Sequence, residues 1–232
     1  MRYKVSSIET ILTLISPFLQ LAIIILFLST KPKKKELWFI FVYVCYSFAS
    51  ILFLNDLFYS IFNRQFLSYR LYTIVEGVFF SLFLYHVINN TTARKLLLGL
   101  ISLFVIYSFI DLDLSEAASF DSVPTVVECI ILLSFSMFYL YEEIGSPNTL
   151  FLYTTANFWI TVSIILFFSG TFFLFIYAQN NSGDPAFSHT FKIIMAVSSV
   201  IKNILFLIAF IIAKNESKTI KSSQIAKPRI FQ

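Results

Sequence analysis

Two histidines and two cysteines are the only imidazoles and thiols in this 232-residue chain. His86 falls at one end of an apolar run and His189 at the opposite end of another, so they cannot share a metal ion. A membrane metallohydrolase, which needs clustered His or Cys ligands, is thereby excluded. No Ser-His-Asp arrangement can be built around two remote imidazoles. Cys45 and Cys129 lie inside apolar runs at different depths, so no disulfide is expected and both read as small apolar fillers. Five scattered glycines make no phosphate-binding loop. Charge is scarce as well, at 13% of residues. The net charge of +4 sits mostly in certain loops, so it carries no nucleic-acid signal. No polar stretch is long enough for a separate soluble domain, and no metal, cofactor or enzymatic centre is expected.

What the chain does contain is apolar sequence: 58% of residues are hydrophobic, including 29 Phe and 12 Tyr, far from soluble globular usage. It falls into seven runs, Ile11–Ser29, Leu37–Phe62, Phe66–Ile88, Leu96–Ile110, Val123–Tyr141, Leu150–Tyr177 and Phe187–Ala213. An α-helix needs ~20 apolar residues to cross a ~30 Å hydrocarbon core. The expected fold is therefore an all-α polytopic membrane bundle of seven transmembrane helices over residues 1–213, with a basic tail over 214–232. The first run does not resemble a cleaved signal peptide, because Glu9 and Pro17 interrupt it and no A-x-A-like site follows.

Lys and Arg in the joints set the expected orientation. One set of joints and the tail hold Lys31, Lys33, Lys34, Lys35, Arg94, Lys95, Lys214, Lys218, Lys221, Lys227 and Arg229, eleven in all. The other set holds only Arg2, Lys4 and Arg64. The positive-inside rule then puts the N-terminus outside and the C-terminus inside. The outer joints carry Asp111, Asp113, Glu116, Asp121 and Asp184. They either merely avoid Lys and Arg or draw in cationic ligands.

Charges within the runs are the conspicuous feature, since an ionisable group at membrane depth is costly and commonly functional. Counting ~1.5 Å per residue from the inner ends puts Glu76 roughly 20 Å up, Glu128 roughly 21 Å and Lys202 roughly 18 Å. Two acids and one base thus share a level. The surplus negative charge calls for a shared proton or a bound cation. A second layer of Asp56, Arg70 and Lys192 comes out at roughly 28 to 33 Å. A purely structural reading also applies: ion pairs that pin helices, and Arg70 and Lys192 snorkelling to headgroups. Thr73-Ile74-Val75-Glu76-Gly77-Val78 and Thr125-Val126-Val127-Glu128-Cys129-Ile130 are similar, as a parallel internal repeat would be.

Polar residues also recur on helical faces. Ser199 and Asn203 accompany Lys202 on the seventh run, Asn157 and Thr161 follow Thr154 on the sixth, and Tyr43, Ser47 and Ser50 line the second. Tyr69 and Tyr72 on the third would add aromatic walls. Such residues often serve only as interhelical hydrogen-bond glue, worth ~0.6 kcal/mol on average. Taken together, they describe a polar ligand or ion pocket made of Glu76, Glu128, Lys202, Asn203, Ser199, Asn157, Thr161 and Tyr72.

Two resemblances bear on function. Seven helices with Lys202 midway along the last and Glu76 at equal depth on the third resemble a retinal protein, in which the lysine forms the Schiff base and the acid is its counterion. The stretch Val200-Ile201-Lys202-Asn203-Ile204 departs from that pattern, having no Asp four residues before the lysine, and the third helix lacks an Asp-x-x-x-Thr core. The run FWITVSIILFFSGTFFLF, from Phe158 to Phe175, and VIKNILF around Lys202 resemble uncharacterised bacterial seven-helix membrane proteins. That resemblance covers about the last third of the chain. It implies a receptor-like or signalling-accessory module of the bacterial inner (cytoplasmic) membrane. The expected function is a membrane sensor with a polar pocket open toward the outside, binding a small ligand or cation. Its Lys-rich tail would meet a separate cytoplasmic signalling protein or anionic lipid. A small proton- or cation-coupled transporter using the Glu76, Glu128 and Lys202 layer is the competing class.

Overall fold

Inside hydrocarbon every backbone N–H and C=O must be paired within the protein, and a chain of long apolar runs achieves this most simply as helices. The computed structural model describes residues 7–30, 32, 34–54, 60, 65–110, 122–145, 152–181 and 184–225. Among these residues there are seven α-helices and no strand: α1 Ser7–Thr30, α2 Lys35–Ala49, α3 Gln65–Val87, α4 Thr91–Ile110, α5 Ser122–Ile144, α6 Ala156–Asn181 and α7 Pro185–Ile225. A π-helical turn, Ser50–Leu54, extends α2, and a 3₁₀ turn, Leu152–Thr154, precedes α6.

Five stretches are long and apolar enough to cross a membrane: Lys35–Phe53, Thr91–Ile110, Val123–Ile144, Ala156–Ala178 and Ala186–Glu216. Leu14–Thr30 is a shorter apolar helix. α3 is not one of the five and carries Arg70 and Glu76 within its apolar sequence. The lateral surface confirms what kind of solvent the bundle faces. Phe18, Leu103, Ile110, Phe173 and Tyr141 are each more than 60% exposed. A water-soluble protein rarely shows so much contiguous apolar surface. The polar groups are inside instead: Arg70, Glu76, Glu128, Lys202 and Asn203 are all buried. The chain is an integral membrane helical bundle.

Each helix packs on its neighbours in sequence, and α7 closes back onto α1, so the helices form a ring. α3 also touches α5, which places it toward the middle. The Phe80 ring of α3 meets Phe168 of α6 and Phe206 of α7 edge-on. The most extensive contact is between α6 and α7, where Gly170 lets the helices come close: a Cβ there would lie 3.2 Å from Ser198 Oγ.

Local chemistry explains several helix ends. Asn90 caps α4, its Oδ1 accepting the N–H groups of Thr92 and Ala93. Asp184 does the same for α7 through the N–H of Ala186. Glu142 of α5 accepts the N–H groups of both Asn89 and Asn90, tying α5 to the α3–α4 joint. At the same end of the bundle, Lys34 pairs with Glu216 of α7 at 2.7 Å. This is the basic end.

Several boundaries differ from those expected. α4 begins at Thr91 rather than Leu96, because the Asn90 cap starts it early. α6 begins at Ala156 rather than Leu150. α7 does not stop at Ala213 but continues to Ile225, 41 residues in all. That is about 60 Å at the helical rise, twice a hydrocarbon core. Polar sequence ends membrane burial but not helix formation, and Lys, Glu and Gln are good helix formers.

Candidate functional site

Lys202, near the middle of α7, is 3% exposed and carries its charge into the bundle. Its Nζ lies 2.9 Å from Glu76 Oε1 on α3 and donates to Tyr43 Oη on α2 at 2.5 Å. Tyr43 in turn donates to Glu76 Oε1 at 2.5 Å. Carboxylate, phenol and ammonium thus close a three-membered ring of charge-assisted contacts, the stronger kind of hydrogen bond. Three aromatic rings surround the ammonium, with centroids at 3.7 Å (Phe167), 5.1 Å (Tyr43) and 5.8 Å (Phe80). All are within cation–π reach. Ser163 of α6 donates to the Lys202 carbonyl at 3.0 Å, fixing the backbone that presents the lysine.

A ladder of polar side chains leads away from this ring. Tyr43 Oη is 3.0 Å from Tyr72 Oη, which is 3.1 Å from Ser47 Oγ. Ser47 accepts from Gln20 Nε2 of α1 at 3.0 Å. Ser47 lies one turn beyond Tyr43 on α2, and Tyr72 one turn before Glu76 on α3. With these two helices running in opposite directions, the ladder climbs away from the basic end. Toward the basic end the surroundings are aromatic. Phe80 and Phe206 follow Glu76 and Lys202 by one turn, and Phe27 then meets Phe210 edge-on and stacks on Phe41. The ring therefore has a polar side and an apolar side.

The residues expected in one pocket separate into several places. Glu76, Lys202 and Tyr72 come together. Asn203 is buried beside them but turns to α1, donating to Ser16 Oγ at 2.9 Å. Ser199 is half-buried on α7 one turn earlier. Asn157 belongs elsewhere: its Nδ2 lies 3.5 Å from Glu36 Oε1 at the start of α2, near the basic end. Thr161 is buried but bonds the Asn157 carbonyl of its own helix. Helical spacing puts residues on one face without saying which neighbour that face meets, and the contacts of Asn157 and Thr161 are with Glu36 and with the backbone of α6.

Glu128 of α5 is 1% exposed and packs against α3 one residue past Glu76. A Cβ on Gly77 would stand 3.1 Å from its Oε1 and 3.2 Å from Phe104 Cε1. Consecutive helical residues point about 100° apart, so Glu76 turns to α2 and α7 while Gly77 turns to α5. Of the two glutamates at the level of Lys202, the ammonium contacts Glu76.

The outer layer is described only in part. Asp56 lies outside the described residues, as do Asp111, Asp113, Glu116 and Asp121. Arg70 does not snorkel to headgroups: it is 2% exposed and donates from Nη1 to the Ser108 carbonyl in the last turn of α4, at 2.9 Å. A cation there also offsets the partial negative charge of that helix end. Lys192 is exposed on α7.

Sequence reasoning passed over Gln20, Ser16, Ser163, Phe80 and Phe167. Tyr43 and Ser47 did carry a signal, as polar residues four apart in an apolar run. Among the described residues no three His, Cys, Asp or Glu side chains are grouped as metal ligands.

Fold and site together define an integral membrane helical bundle with a caged ion pair at its centre. Comparison of the chain with known protein families, curated proteins and solved structures returns no match.

Proposed function

We propose that the chain is a membrane sensor or receptor-like signalling protein. In this reading seven helices cross the membrane, with the N-terminus outside and the basic end in the cytoplasm. The membrane is the inner membrane of a bacterium, as the sequence resemblance implies. The observation that carries the proposal is the junction at Lys202. α7 is joined to α2 and α3 through one buried charge, and the same helix runs on as far as Ile225.

Stability does not explain such a junction. Replacing a buried ion pair by well-packed apolar residues is often neutral or stabilising by about 1–4 kcal/mol. A buried pair does offer a discrete contact that a ligand or proton can break, and α7 would carry the change to the far side of the membrane. The polar ladder of Tyr43, Tyr72, Ser47 and Gln20 rises toward the end that the charge count puts outside, where a ligand would arrive. The basic tail then meets an acidic signalling protein or anionic lipid.

Spin-label distances test this reading. Labels go on exposed Lys95 and Asn215, with Cys45 and Cys129 replaced by Ala, in the wild-type pair and in K202M/E76Q. Removing the charge junction should shift or broaden the distance distribution at the basic end. An unchanged distribution refutes signalling through α7.

The hydroxyl ladder ending on Glu76 also supports a second reading, a proton-coupled carrier. Uptake of a solute into proteoliposomes driven by a pH gradient, and lost in E76Q, would establish that class. The Glu76–Lys202 contact likewise suits a retinal counterion pair, which a K202M-sensitive visible band after adding retinal would reveal.

A further inference from the structure

The walls of the ammonium site come from three helices: Tyr43 from α2, Glu76 and Phe80 from α3, and Phe167 from α6. α7 contributes the cation and, one turn on, Phe206, which packs edge-on against Tyr43 and Phe80. The groups that touch the charge nevertheless all come from other helices, and Lys202 stands among them as a ligand tethered to the seventh helix. We propose that Tyr43, Glu76, Phe80 and Phe167 form a binding site for the primary ammonium group of a small alkylamine, which Lys202 fills in the resting protein and which an amine ligand takes when α7 withdraws.

The contacts select among cations. The Tyr43 hydroxyl and the Glu76 carboxylate each receive a hydrogen bond from Nζ, at 2.5 and 2.9 Å. A primary ammonium can satisfy both and still present C–H and N–H groups to the ring faces. A quaternary ammonium has no N–H to give. A neutral alcohol donates a single hydrogen bond and leaves the Glu76 charge uncompensated in a site that is 5% exposed. Supply of a cation fits the rest of the molecule: the ladder leads from the site away from the basic end, and the joints that the sequence assigns to that far end include Asp111, Asp113, Glu116, Asp121 and Asp184. This inference names the ligand class of the sensor reading and rests on it for biological meaning. The site itself is tested without it.

Lys202→Ala removes Cγ, Cδ, Cε and Nζ, the atoms that propylammonium replaces. Thermal unfolding of purified K202A in detergent, followed by fluorescence of Trp38 and Trp159, should show a Tm that rises with the logarithm of propylammonium concentration. Tetramethylammonium, propanol and sodium chloride at equal concentration should not raise it. Wild-type protein should respond less, because tethered Lys202 competes, and K202A/E76Q, which lacks the carboxylate, should not respond. If K202A does not accumulate folded, propylammonium present during expression and purification must recover it where propanol does not. No greater shift or recovery with propylammonium than with sodium chloride overturns the proposal, and so does an equal response in K202A/E76Q or wild type. The spin-label experiment needs no amine, so the two can fail separately: a positive amine result with an unchanged label distance keeps the site and removes the signalling role.

Discussion

Lys202→Met strips one charge from the central junction and leaves Glu76 buried at 5% exposure with its carboxylate facing Tyr43. Several losses combine. The charge-assisted hydrogen bonds of Nζ are worth about 1.5–3 kcal/mol each in net terms. The cation–π contacts add up to about 2 kcal/mol at a desolvated site. The methionine recovers much of the alkyl packing, which lies outside these figures. The dominant effect is the uncompensated acid, and breaking a buried pair from one side typically costs about 3–5 kcal/mol. For a chain of this size that corresponds to a Tm lower by roughly 6–20 °C. Thermal or denaturant unfolding in detergent micelles, read by tryptophan fluorescence, supplies the measurement. The second half of the cycle carries the argument: K202M/E76Q should regain most of the loss, because the buried charge goes with the carboxylate. The coupling should sit near the top of the ~0.5–3 kcal/mol range for residues in direct contact. K202M/E128Q should show little coupling, since Glu128 faces Gly77. A neutral K202M, or stronger coupling to Glu128 than to Glu76, would refute the junction described here.

The remaining predictions use the same preparation or a simple fusion. Tyr43→Phe should cost about 1.5–3 kcal/mol, because its hydroxyl bridges two charged groups, and Tyr72→Phe only about 0.5–1.5 kcal/mol, because its partners are neutral; equal losses would mean the ladder is not graded by charge. Gly77→Ala should destabilise by about 1–3 kcal/mol through crowding of Glu128 and Phe104. Gly99→Ala, with nothing within 4 Å, should stabilise α4 by roughly 0.5–1 kcal/mol. A reporter active only in the cytoplasm should work when fused after Gln232 and be silent near Ser182, and the reverse result would invert the orientation drawn from the charge count.

Composition alone carried the solvent and the secondary structure. Runs of apolar residues near twenty long have one economical backbone solution in lipid, and depth along a helix follows from counting at ~1.5 Å per residue. By that count Glu76 and Lys202 stand at one level, and they are in contact at 2.9 Å. The same count placed Glu128 there too, and could not choose between the acids. That choice depends on the rotation of α3 and α5 about their axes, set when Gly77 admits Glu128 and Glu76 turns to α2 and α7. The cage was hidden for a related reason. Phe80 and Phe167 are two among 29 phenylalanines, and only the crossing of α3, α6 and α7 gives these two a cation to face. Asn157 meets Glu36 and Thr161 bonds the backbone of its own helix, contacts that were not legible because periodicity reports azimuth within one helix and nothing about its neighbours. Local sequence encodes what each helix is; which side chains meet is decided by packing between helices far apart in the chain, where each contact depends on all the others.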